Sequence, residues 1–263
     1  MKPLDASFET ILADVGDDHV ATVTLNRPAR MNAFNEQMRD EFADLWRIVR
    51  ETDDIHAVVL RAAEGRAFCT GVDVKEGIPK PANLWTQEDP GRWLGPKSNR
   101  VWKPVIAAVH GMAAGGAFYW LNEADIVICS EDATFFDPHV SYGMVAALEP
   151  IGLTRRIPLG EVLRIALTGL AERVTAQTAL RIGLVSEVTT RDQLWPRAGE
   201  LAAVIAANSP SAVQGTVRAV WESLDTTRSA AMDRGLAYTQ LGSPKGIHSE
   251  ERNTAGRPEP RLR

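Results

Sequence analysis

Residues 110–120 read HGMAAGGAFYW, and they lie between two apolar runs, KPVIAAV (103–109) and ADIVICS (124–130). The chain leaves a predicted strand, reduces its side chains to Gly and Ala for several residues, and resumes with bulky aromatics. Glycine loses more backbone freedom on ordering than any other residue, so a glycine pair here carries a conformational cost. The pair therefore implies that another group approaches the backbone closely at this junction.

The flanking pattern alternates short apolar strands with helices. ATVTLN (21–26) reads as a β-branched strand closed by the turn signal Asn26-Arg27-Pro28. Residues 35–51 place Met38, Phe42, Leu45 and Val49 on one helical face, with Asn35 and Glu36 as the start. HAVVLRA (56–62) is the next strand, and a loop then carries FCTGVDVKEG. Residues 77–100, with prolines, glycines, Trp85 and Trp93, have no period and read as an irregular cover over a ligand. Beyond residue 160 the chain turns helical: EVLRIALTG, then Thr175 capping AQTALRI, stopped by Gly183, then the strand LVSEV. Residues 197–238 are helical and Ala-rich, and a polar tail follows Pro244. The order implies an α/β core over 1–196 and a C-terminal helical region over 197–263, with no exact sequence repeat.

Composition narrows the function classes. A 263-residue chain that is 44% hydrophobic and 24% charged is large enough to bury a sizeable core. Its net charge of −5, with both signs mixed, argues against nucleic acid as partner. The only two cysteines, Cys69 and Cys129, sit among small or apolar residues and read as packing thiols of a reducing compartment. MKPLDASFET has no apolar signal core, and no run reaches the ~18 apolar residues of a membrane span. The expectation is a cytoplasmic protein. No His, Cys or carboxylate set has ligand spacing, so no metal is expected.

Three readings compete for GMAAGG. A dinucleotide fingerprint fails, because G-x-G-x-x-G is absent and no acidic residue ends a second strand about 20 residues on. Close helix–strand packing through small residues is the structural alternative. The third is an oxyanion hole, in which bare backbone N–H groups at a helix start face developing negative charge. AFCTGVDVKE (67–76) also follows a strand and places a glycine at a turn before a predicted helix. Donors from these two loops can meet at one carbonyl oxygen.

RPARMNAFN, AFCTGVDVKE, KPVIAAVHGMAAGGA, ADIVICSEDATFFDP and TAQTALRIGLVSEV together resemble the crotonase (enoyl-CoA hydratase/isomerase) superfamily, in order and spacing, from about residue 20 to 190. The resemblance implies a spiral of repeated ββα units with a C-terminal helical region, assembled as homotrimers or hexamers. It implies an acyl-CoA thioester as ligand, with CoA entering as part of the substrate and no further cofactor. The oxyanion donors fall on the backbone N–H groups of Val72 and Gly116. Arg30, Asn32 and Ala33, with Thr70, Gly71, Asp73 and Gly115, fall on the substrate- and CoA-binding positions.

Hydratases of this superfamily handle water with two glutamates. The first follows the oxyanion glycine by three residues, where this chain has Tyr119; the second follows the F-x-x-P segment, where FFDPHV has His139. Paired carboxylates can hold a water and exchange its proton, whereas tyrosine at pH 7 is chiefly a donor and histidine an acid or base. Simple hydration is therefore expected to be impaired, with isomerase or hydrolase chemistry through His139, Tyr119 and Glu149 as the alternative, His139 handling the proton and Glu149 as its carboxylate partner fixing the tautomer. Asp137 reads as a turn residue before its proline, Asp125 as a strand cap or subunit contact, and His110 as a hydrogen-bonded structural histidine. A non-catalytic acyl-CoA-binding protein and a purely structural oligomer are the rival readings.

Overall fold

A computed structural model describes residues 2–4, 8–76, 83–86, 88–241 and 260–262. The chain divides into two compact units, Met1–Ala207 and Asn208–Arg263. The first runs β1 (Lys2–Pro3), β2 (Ile11–Val15), β3 (Val20–Leu25), α1 (Glu36–Glu51), β4 (Ala57–Ala62), β5 (Ala67–Cys69), β6 (Val105–Val109), β7 (Met112–Ala114), α2 (Phe118–Glu123), β8 (Ile126–Ser130), β9 (Thr134–Phe136), α3 (Leu148–Leu153), α4 (Leu159–Thr168), β10 (Val174–Thr175), α5 (Ala176–Ile182), β11 (Glu187–Thr189) and α6 (Leu194–Ala206). The second holds α7 (Pro210–Ser223) and α8 (Arg228–Thr239), where the Glu222 carboxylate of α7 accepts from the Tyr238 hydroxyl of α8 at 2.5 Å.

The strands form a seven-stranded sheet, β1-β2-β3-β4-β6-β8-β11, and a four-stranded sheet, β10-β9-β7-β5. The large sheet is parallel from β3 onward and the small one is parallel except at β10. Each of β4, β6 and β8 is followed, after a tight turn, by a three-residue strand of the small sheet. The expected spiral of ββα units is therefore present. The short strands escape sequence reading because three residues are too few to show a period.

Parallel strands flanked on both faces read as continuous apolar runs, and these do. Val58, Leu60 and Ala62 of β4 face one buried cluster while Ala57 and Val59 face another. The first cluster includes Met38, Phe42, Leu45, Trp46 and Val49 of α1, whose N-cap Asn35 accepts from the Met38 amide at 3.0 Å. The second is closed by Leu194, Ala198, Ala202 and Ala206, a stripe of period four along α6. A domain boundary after residue 196 would cut α6; the chain divides after Ala207, because this stripe belongs to the sheet.

Other expectations resolve differently. His110 is fully buried and neither ring nitrogen has a hydrogen-bond partner; burial lowers its pKa to about 4, keeping it neutral beside Trp195. Asp125 caps a strand, accepting from the Val105 amide and from Lys97 Nζ, both at 2.7 Å. Both cysteines are buried with pKa values pushed up to about 12 by burial, as packing thiols should be. Trp85 is exposed. Residues 73–76 after Gly71 form a turn; the helix expected beyond them and the tail after Pro244 fall largely outside the described residues.

The turn between β6 and β7 needs glycine. Gly111 has φ +58°, and a Cβ there would stand 2.3 Å from the Arg66 carbonyl oxygen. Its own carbonyl accepts from the Thr134 amide at 2.8 Å, so three turns of the spiral meet at this residue. Gly111→Ala should lower unfolding free energy by roughly 1–3 kcal/mol or more, measured by chemical denaturation. Gly160→Ala in α4, where a Cβ meets nothing within 4 Å, should be close to neutral in the same assay.

Candidate active site

The turn 27–34 is fastened to the loop after β5 by side chains. Asn32, in the left-handed region at φ +53°, accepts from the Arg27 amide at 2.9 Å and donates to the Ala67 carbonyl at 3.0 Å. Arg27 bridges Asp73 at 3.1 Å and Glu76 at 2.8 Å, and donates to the Ala33 carbonyl. Asp73 is buried, with Oδ1 accepting from the Lys75 and Glu76 amides and Oδ2 from Arg27, so its carboxylate holds the loop. Arg30 is exposed at the end of a 3₁₀ turn, Pro28–Arg30. Arg27, which sequence reasoning passed over, is the structural arginine of the pair.

Phe34 then forms a single parallel bridge with Val72: its amide donates to the Gly71 carbonyl at 2.9 Å and its carbonyl accepts from Asp73 at 2.7 Å. Such a bridge uses the groups on either side of Val72 and leaves the Val72 N–H out of the pairing. A Cβ on Gly71 would lie 3.1 Å from the Gly116 nitrogen, and one on Gly116 would lie 3.3 Å from Gly71 Cα and 2.5 Å from Phe34 Cε1. The two loops therefore meet backbone to backbone, as their sequences suggest. Gly116 is the second residue of the 3₁₀ turn Gly115–Ala117 that leads into α2, where amides have no acceptor within the turn.

His139 opens the 3₁₀ turn His139–Tyr142, and its Cε1 would lie 3.6 Å from a Cβ on Gly115. Asp137, with no solvent exposure, accepts through Oδ1 from the His139 amide at 3.0 Å and from Nδ1 at 2.6 Å. The proton of neutral His139 therefore sits on Nδ1, and the lone pair of Nε2 is left exposed to the site. Glu149, buried in the first turn of α3, places Oε1 3.9 Å from that Nε2. Sequence reasoning gave Glu149 the task of fixing the tautomer. Asp137 has that task, and Glu149 faces Nε2. The Asp-Pro-His order, with an acidic side chain turned onto an amide two residues on, is the local signal that could have found it.

Electrostatics follow from these contacts. The Asp137 hydrogen bond raises the His139 pKa above the ordinary imidazole value; burial opposes this, and the charges of Asp137 and Glu149 add to it. Burial also raises Glu149, with Asp137 and Asp89 adding to the rise and its own amide and His139 opposing. Tyr119 donates its hydroxyl to Asp89 Oδ1 at 2.6 Å, and burial together with that bond raises its pKa, so it stays a neutral donor. Asp137, His139 and Glu149 offer ligand atoms within 4.8 Å of one another, a grouping of metal-ligand type that the sequence did not reveal. Its shortest contact, the Asp137–Nδ1 bond, already engages the His139 Nδ1–H with an acceptor.

A family model described as enoyl-CoA hydratase/isomerase matches residues 16–250. The chain belongs to the enoyl-CoA hydratase/isomerase family. It is 35% identical over 226 residues to (E)-benzylidenesuccinyl-CoA hydratase of Thauera aromatica, covering 85% of this chain and 86% of that protein. It is likewise 35% identical over 231 residues to mevalonyl-coenzyme A hydratase of Aspergillus fumigatus, covering 85% and 84%. Among solved structures, an enoyl-CoA hydratase/isomerase from Mycobacterium paratuberculosis superimposes with a TM-score of 0.86 at 35% identity, covering 98% of this chain and 99% of that one. The crotonase-fold assignment is thus shown by sequence and structure together. Among the described residues, no helix is long and apolar enough to cross a membrane.

The Asp137–His139 pair links fold stability to pH. A folded pKa above the unfolded value means the pair's contribution is fully present below about pH 6.5. It is lost as pH rises through the raised folded value. Asp137→Asn should lower the His139 pKa, read from imidazole NMR shifts, and flatten that pH dependence; an unchanged pKa would separate the two residues.

Proposed function

We propose that this family member transforms an acyl-CoA thioester through an enolate. The thioester oxygen lies against the N–H groups of Val72 and Gly116, and His139 Nε2 takes the proton from the adjacent carbon. The electron pair of the broken C–H bond moves onto the thioester oxygen, and the proton returns from the imidazolium to carbon or to a leaving group. Each oxyanion donor is typically worth roughly 3–4 kcal/mol in such a transition state. The observation that carries this reading is the close approach of the Gly71 and Gly116 backbones to each other, with the His139 ring beside Gly115. Arg30, Ala33, Thr70, Gly71 and Gly115 border the CoA path, with Asn32 and Asp73 holding its loops. No cofactor beyond the CoA of the substrate is invoked, and the setting is the cytoplasm.

The curated relatives above are named hydratases, which supports a lyase-type label. The residues here favour proton transfer over water addition. With Tyr119 donating to Asp89 and His139 in place of the second glutamate, isomerisation or hydrolysis of a C–C or thioester bond is better served than hydration. Self-association as a trimer or hexamer is supported by apolar side chains left exposed along one stretch, Val145 and Ile151, then Leu159, Leu163 and Leu167 at four-residue spacing on α4. Light scattering after gel filtration should report three or six subunits, and Leu163→Lys should lower that number.

Deuterium exchange from D2O into the α-carbon of butanoyl-CoA tests enolate formation without knowledge of the final product. Exchange should rise with pH through the His139 pKa, as the imidazolium becomes the neutral base. His139→Gln should lose roughly 10²-fold or more. Gly116→Pro should abolish exchange, because it deletes the donor. Hydration of crotonyl-CoA should be slow or undetectable. A folded His139→Gln variant exchanging at the parent rate would remove the base assignment. CoA-ester binding without exchange or turnover would instead support a non-catalytic acyl-CoA-binding protein.

A further inference from the structure

At the end of the site facing Tyr119 the acid Asp89 keeps one carboxylate oxygen clear of the donors that hold it. Asp89 is fixed there by two donors, the Tyr119 hydroxyl at 2.6 Å and the Gly91 amide at 2.9 Å, and both end on Oδ1. Neither touches Oδ2. The segment can approach only because residue 91 is glycine: a Cβ would stand 2.2 Å from Tyr119 Cε2, so the loop backbone lies directly on the tyrosine ring. That ring in turn meets Phe34 edge-on at 6.3 Å, and Phe34 abuts Gly116. Asp89 is thereby tied to the same cluster as the glycine pair.

An inventory of donors and acceptors decides what this end can bind. Tyr119 has one O–H and gives it to Asp89, so toward a ligand it offers oxygen lone pairs only. Asp137 is engaged by His139, and the same hydrogen bond occupies the only basic group of the cluster on its Nδ1 side. Among the described residues, no lysine or arginine forms an ion pair with Asp89, Asp137 or Glu149. Among the described residues the ionic partner of both Asp137 and Glu149 is His139. A carboxylate on the acyl group would bring further acceptors and a like charge to this end, which interfaces use to suppress wrong partners. A hydroxyl or ammonium would supply the missing donor.

We propose that the acyl group this enzyme accepts carries a hydroxyl or ammonium donor directed at Asp89, and that acyl groups ending in a carboxylate are refused. This rests on the reading of the site as an acyl-CoA site, and it names the substrate class of that site.

Calorimetric binding of matched thioesters tests it without turnover. The probes are pentanoyl-, 5-hydroxypentanoyl- and glutaryl-CoA, with hexanoyl-, 6-hydroxyhexanoyl- and adipyl-CoA as a longer set, and free CoA as reference. In at least one set the hydroxyl ester should bind several-fold more tightly than the methyl ester, and the carboxylate ester about tenfold or more weakly, a difference of about 1.4 kcal/mol. Asp89→Asn, which replaces an acceptor-only group by an amide with two donors, should recover most of the loss for the carboxylate ester and reduce the hydroxyl preference. Equal affinity across both sets, or a carboxylate penalty untouched by Asp89→Asn, would overturn the proposal while leaving the acyl-CoA reading intact. Failure of every thioester and of CoA to bind would overturn that reading, and this proposal with it.

Discussion

The structure depends on one close approach, the backbone of Gly71 against the backbone of Gly116. A side chain at either position would drive the two loops apart, since the spaces a Cβ would occupy are already taken by the Gly116 nitrogen, Gly71 Cα and Phe34. The contact joins the turn after β5 to the turn after β7, neighbouring strands of the small sheet. Its position is set by the spiral: each strand of the large sheet delivers the chain to a short strand of the small one, and the loops beyond β5 and β7 therefore open at the same edge. The glycine contact is a product of that winding rather than of any side-chain chemistry.

Around this contact the side chains divide into those that hold the loops and those of the Asp137–His139–Glu149 cluster. Asn32, Arg27 and Asp73 are occupied with each other and with backbone groups, and they keep the Val72 loop pressed onto the Phe34 strand bridge. Asp137 orients His139. Glu149 faces the free ring nitrogen at 3.9 Å, and its burial favours the protonated form. An imidazole with a fixed tautomer beside a carboxyl group of raised pKa is suited to moving a proton. Tyr119 binds a loop residue, Asp89, through its hydroxyl.

The sequence by itself determined the family, the long elements and the glycine junction. Strands that are buried on both faces, the Asn35-capped helix and the α5 stop at Gly183 are local physics: apolar runs, capping oxygens and a left-handed residue. The glycine pair was legible because it contradicts its surroundings, being costly where nothing approaches. Only the tertiary structure decided the three-residue strands of the small sheet, which carry no periodic signal and exist through their partners. It alone kept α6 with the sheet, because a stripe of alanines is indistinguishable from any exposed helix until its neighbours are known. It gave Asp137 the orienting task expected of Glu149, since that choice rests on which carboxylate reaches which ring nitrogen. And it brought Asp89 to Tyr119 across thirty residues of chain, a contact that no spacing encodes, because it depends on a glycine being small enough to let one loop lie on a ring.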